Sequence, residues 1–145
     1  MHGQLSTEII LLIAVMLLLL VPLMVYAYSR ANIANEDLSV QKAEFAAKRI
    51  ATLADSVGYL GGEAAIIDEI EVPSFVQSIT INQHDIIFNM SSTAGVKQIV
   101  QTSSFALNSS GFDRIRKAGT YFIEIKALSN YNAMPGEPQV SLTLK

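Results

Sequence analysis

The chain has 145 residues, 50 % of them hydrophobic, a formal net charge of −3 and no cysteine. This leaves room for one modest domain once a long apolar segment is set aside. It excludes disulfides, thiolate metal centres, covalent haem attachment and cysteine nucleophiles, and the lack of a basic patch argues against nucleic acid as a partner.

The first predicted element is an apolar helix. Residues 9–28 contain no charge and a single proline, Pro22. About 20 residues of helix span roughly 30 Å, the thickness of a bilayer's hydrocarbon core, so a membrane-resident helix is expected. The run is longer than the core of a secretory signal and no Ala-x-Ala site follows it, so it reads as a retained helix. Glu8 stands at its lip, where a carboxylate is costly and calls for a partner. The plainer reading of Glu8 is a helix-N-terminal charge favoured by the dipole. Pro22 withholds a donor from the Leu18 carbonyl and predicts a kink or compliant point. Asn32-Ile33-Ala34-Asn35 is a second weak point.

From Ser29 the sequence turns polar but stays permissive of helix. Leu38, Phe45, Ile50, Leu53, Val57 and Leu60 recur at three-, four- and seven-residue intervals and predict the buried stripe of an amphipathic continuation. Glu44 and Lys48 are a favourable i,i+4 pair. Gly58 and the Gly61-Gly62 pair are the predicted terminators, giving one helix over residues 4–57.

After Gly62 the period drops to two. Ile79-Thr80-Ile81, Ile86-Ile87-Phe88, Phe105-Ala106-Leu107, Tyr121 through Lys126 and Val140 through Leu144 predict about five short antiparallel strands. Asn82-Gln83-His84-Asp85, Ser91-Ser92-Thr93-Ala94-Gly95, Asn108-Ser109-Ser110-Gly111 and Ala133-Met134-Pro135-Gly136 supply turn chemistry between them. The apolar face of such a sheet needs cover, and the stripe from Phe45 to Val57 is available. The predicted fold class is therefore α+β, a long N-terminal helix with a β head wrapped on its second half. The segments are residues 1–3, the helix core 4–28, its amphipathic continuation 29–60 and the head 61–145.

Gly3-Gln4-Leu5-Ser6-Thr7-Glu8 followed by the apolar run resembles the class III signal sequence of archaeal type IV pilin-like proteins. The resemblance covers about 25 residues and, in general style, the β-rich remainder. It implies cleavage between Gly3 and Gln4 by a prepilin-type signal peptidase, Glu8 as the fifth mature residue, and a helix-plus-β-head pilin fold. It further implies a membrane-held precursor, a dedicated assembly machinery, and self-association into an extracellular adhesive filament. Leaders of this family carry Lys or Arg before the glycine, whereas Met1 and His2 stand there here. Arg30, Lys42, Lys48 and Arg49 follow the run, against the positive-inside expectation for an external head. The two N-glycosylation triplets, Asn89-Met90-Ser91 and Asn108-Ser109-Ser110, favour an external head nonetheless. Asn108, in an expected turn, is the more accessible acceptor; Asn89 is expected to end a buried strand.

No catalytic constellation emerges, and neither a cofactor nor a metal is expected. His84 beside Asp85 reads as a turn feature. Glu63, Asp68, Glu69 and Glu71 read as a solvated acidic face, since they lack the loop pattern of a Ca²⁺ site. Gly61-Gly62-Glu63 lacks the spacing and the lysine of a phosphate loop. A non-enzymatic filament subunit is the leading expectation. The alternatives are a single-pass anchored binding protein that does not polymerise and, less strongly, an archaellum-type filament.

Overall fold

A computed structural model describes residues 2–62, 64–93, 95–128 and 139–145, with side chains from Thr7 onward. Glu63, Ala94 and the expected turn Ala133-Met134-Pro135-Gly136 lie outside the described residues, as do the side chains of Gln4 and Ser6. Helix α1 (His2–Leu60) contributes to two compact units, residues 1–37 and residues 38–145. In the first unit the helix continues without interruption through Pro22 and through Asn32-Ile33-Ala34-Asn35. Secondary structure therefore does not break at either expected weak point.

Among the described residues the second unit holds the end of α1 and seven strands, so the chain is α+β as expected. The strands are β1 (Ala65–Val72), β2 (Val76–Asn82), β3 (Asp85–Ser92), β4 (Gly95–Thr102), β5 (Leu107–Ser110), β6 (Gly119–Ala127) and β7 (Val140–Leu144), with a 3-10 turn, η1 (Phe112–Arg114), between β5 and β6. They form two sheets rather than one, a four-stranded sheet in the order β1-β6-β7-β5 and a three-stranded meander β2-β3-β4. Among the described residues every pairing is antiparallel except β5 with β7, which is parallel.

Two of these strands escaped the period-two reading. In β1 the inward positions are Ile66, Asp68, Ile70 and Val72, and Asp68 interrupts the apolar alternation. In β4 only Ile99 is buried, so there is little alternation to read. The Asn108-Ser109-Ser110-Gly111 segment is also not the expected turn. Its first three residues lie in β5, and the chain turns only at Gly111, whose φ is 87°. Phe105 and Ala106 precede this strand instead of beginning it. Asn89 sits inside β3, which runs on to Ser92, and does not end the strand.

The buried face of α1 is the second correction. Leu38, Phe45 and Leu60 from the expected stripe are 52 %, 68 % and 72 % exposed. What lies against the sheets is Ser39, Ala43, Ala46, Ala47, Ile50, Ala51, Ala54 and Val57, a stripe of the same 3.6-residue period but made mostly of alanine. Small side chains let the helix axis approach closely, and the volume is filled from the strands by Ile70, Ile79, Phe88, Met90, Ile123 and Ile125. The helix ends at Leu60, three residues beyond the expected Val57 and just before the Gly61-Gly62 pair. Gly61 adopts a φ of 57°, and its N–H donates to the Val57 carbonyl at 3.1 Å, closing the last turn in a left-handed cap. Gly58, also an expected terminator, lies inside the helix.

Candidate functional site

The chemistry of the first unit is that of an uncovered surface. From residue 9 to residue 28 the large apolar side chains are exposed, from 44 % at Leu20 to 74 % at Leu18. Among the described residues this is the one helix long and apolar enough to cross a membrane, and none of its most apolar window is buried. Each fully covered Leu or Ile side chain stabilises by about 1.5–3 kcal/mol, so a run of this length strongly favours an apolar surrounding. Glu8 is exposed and heads a helix face that continues through Leu11, Leu12, Val15, Met16 and Leu19.

The far end of the run carries a feature that sequence reading passed over. The Arg30 Nε–H donates to the Tyr26 hydroxyl at 3.0 Å, and the guanidinium lies 5.3 Å from the Tyr26 ring centroid. Two tyrosines, Tyr26 and Tyr28, followed by a tethered arginine form the aromatic and cationic edge common where an apolar helix leaves a membrane. The i,i+4 spacing of Tyr26 and Arg30 was the signal that could have found it.

In the second unit two of the acidic residues read as a solvated face, Asp68 and Glu71, are counter-charges to basic residues of α1. Arg49 grips Asp68 with two parallel bonds, Nε to Oδ2 and a terminal N–H to Oδ1, both 2.7 Å. The Lys42 ammonium lies 2.8 Å from Glu71 Oε1. The Arg49 hydrogen bonds hold the Asp68 carboxyl below its ordinary value of 3.8, against the opposing effect of burial. Asp68 in turn raises Arg49. Between these pairs α1 and β1 flank a groove with Leu38 and Phe45 on its lip. Among the described residues no group of three or more His, Asp or Glu side chains is placed to hold a metal ion.

The other singled-out residues act on the framework. His84 Nδ1 lies 3.2 Å from the Ser103 carbonyl, to which its N–H donates, and Asp85 accepts a bond from Thr102 at 2.7 Å. Asp55 on α1 accepts from the Ser103 hydroxyl at 2.7 Å and the Ser104 N–H at 2.8 Å, tying this loop to the helix. The two glycosylation triplets differ in setting. The Asn89 amide donates to Ser78 at 3.0 Å and accepts from Gln98 at 2.9 Å, a ladder across β2, β3 and β4 that is half-buried at Ser78 and Asn89 and exposed at Gln98. Asn108 is exposed on β5.

Comparison with protein-family models, with curated proteins and with solved structures finds no match to this chain.

Proposed function

We propose that this chain is a structural subunit of an archaeal type IV pilus-like filament that serves surface attachment. The supporting observation is the uncharged run of residues 9–28, exposed on every side and followed by a helix face sealed by β strands. In a membrane, lipid satisfies that run. Outside it, other copies of the same helix are the natural cover, and repeating one head-to-tail contact without closure builds a helical polymer with the β heads outermost. Cleavage after Gly3 by a prepilin-type peptidase frees the amine of Gln4, mostly protonated at neutral pH. Glu8 neutralises that amine within the chain or on a neighbour. An unpaired carboxylate in such a core is heavily penalised, so the pair sets the axial register.

The anchored alternative, a single-pass membrane protein whose head binds outside the cell, draws support from the Tyr26, Tyr28 and Arg30 edge, which suits a bilayer interface. The N-terminal mass of material sheared from cell surfaces separates the two. A chain starting at Gln4 in that fraction is the expected result. A chain retaining Gly3 and recovered only from detergent-solubilised membranes supports the anchor and removes the amine from the Glu8 argument. Glu8→Ala is expected to lower filament yield sharply, and wild-type yield would remove the pairing role.

A further inference from the structure

We infer that β4 pairs edge to edge, antiparallel, with β4 of a second copy of this chain, centred on Gln98 facing its own counterpart. The inference goes beyond the proposed function and applies equally to heads arrayed on filaments or on a membrane. The edges of the two sheets are not alike. β5 is only 4 residues long, β2 carries a bulge between Val76 and Ser78, and β1 bears Asp68, Glu69 and Glu71. These are the usual devices against unwanted strand pairing. β4 is neither short nor bulged, and it carries no cluster of charges. It runs for 8 residues in unbroken register with β3, from Ser92↔Gly95 to Asp85↔Thr102, and its only charge is Lys97.

The β2–β3 hairpin fixes which backbone groups face the β4 edge, which has no strand partner among the described residues. Asn82↔Asp85 closes a two-residue turn and is a hydrogen-bonded pair, and alternation along β3 makes Ser92↔Gly95 a hydrogen-bonded pair with β4. Alternation then points the N–H and C=O of Lys97, Ile99 and Gln101 at β3, a parity continued by the Ser103 N–H donating to the His84 carbonyl at 2.7 Å. The N–H and C=O of Val96, Gln98 and Val100 point outward along the edge. The side chains of these three residues share the outer face, with Val96 66 % and Val100 48 % exposed.

This outward row, Val96-x-Gln98-x-Val100, is a palindrome. Antiparallel pairing about Gln98 sets Val96 opposite the partner's Val100, Gln98 opposite the partner's Gln98 and Val100 opposite the partner's Val96. Each of these pairs exchanges both N–H···O bonds, because each uses residues whose backbone groups already face the edge. The valines cover each other. The ladder Ser78, Asn89, Gln98 ends at this edge, and two facing glutamine amides continue it, each donating to and accepting from the other. Charge also agrees. Lys97 falls opposite the partner's Ile99, so no like charges meet directly. An 8-residue edge is small beside the roughly 1,200 Å² of a stable interface, so two free chains associate weakly and arrayed heads gain through effective concentration.

The test uses the full chain in detergent micelles. The protein has no cysteine, so Gln98→Cys treated with a short bismaleimide reports contact between copies alone. Lys126→Cys, on the outer face of the other sheet, reports chance encounters within a micelle. The expected result is a covalent dimer with Gln98→Cys that exceeds the Lys126→Cys background. It should be lost when Val96→Lys and Val100→Lys are added, and equally when Val100→Pro removes an edge N–H that β3 does not use. Cross-linking of Gln98→Cys at the background level overturns the inference, as does a dimer indifferent to the lysine pair. Capture in whole cells of a different protein, with no self-dimer, overturns it in favour of a foreign strand on the same edge. Because the readout is made on solubilised chains, its failure leaves the sheared-filament test of the proposed function unaffected.

Discussion

The ring of Phe105 occupies the space that a side chain at position 58 would need. A Cβ placed on Gly58 would lie 2.6 Å from Phe105 Cγ, closer than real contacts allow. The ring meanwhile makes an edge-on contact with Tyr59, centroids 5.0 Å apart at 83°. Gly58 is thus a docking notch in the last turns of α1. Gly58→Ala gains about 1 kcal/mol of intrinsic helix propensity, yet displacing the ring costs about 1–3 kcal/mol. Net destabilisation is expected in thermal melts followed by the near-ultraviolet signal of the head. Phe105→Ala in the same chain should make Gly58→Ala neutral or stabilising, a non-additivity that identifies the contact.

The alanine face of α1 yields opposite expectations for two neighbouring residues. Ala47 is fully buried, so Ala47→Leu forces the helix off the sheets at a cost of about 1–3 kcal/mol or more. Phe45, at 68 % exposure, should tolerate Phe45→Ala within about 0.5 kcal/mol. Denaturant midpoints of the two variants decide which face is the core. A larger loss for Phe45→Ala would restore the stripe expected from hydropathy.

The Arg49–Asp68 pair predicts a pH dependence of definite sign. The folded carboxyl lies below its ordinary 3.8 because Arg49 donates to it, so folding favours the ionised form. That contribution is present in full above the ordinary value and is lost as pH falls through the lower folded value. Arg49 is about half exposed, so the effect is small. The Tm difference between wild type and Asp68→Asn should be constant above about pH 5 and close in more acid solution. A difference unchanged down to pH 2 would show that the pair contributes through packing alone.

The glycosylation triplets should behave differently. In a host that modifies exported chains, intact mass is expected to show sugar removed by Asn108→Gln and unaffected by Asn89→Gln. Asn108 projects from an exposed strand, while the Asn89 amide is engaged with Ser78 and Gln98. Asn89→Leu should instead lower stability by about 1 kcal/mol through the half-buried Ser78 bond it removes.

What the sequence determined by itself was everything that depends on local pattern. The apolar run, its length and its lack of charge define a helix that seeks a non-aqueous surrounding. The period switch and the Gly61-Gly62 pair place the boundary of the head, clean alternation identifies β2, β6 and β7, and a continuous apolar run identifies β3. Tertiary structure decided the features whose physical cause lies elsewhere in the chain. The buried face of α1 is set by how closely the sheets approach, so alanine won over Leu38 and Phe45. β1 tolerates an inward Asp68 because Arg49, 19 residues earlier, meets it. β5 exists because β7 offers it a parallel partner, and the turn-like Asn108-Ser109-Ser110 extends to take it. Hydropathy records what a side chain prefers, whereas packing selects which of those preferences the backbone geometry can satisfy together.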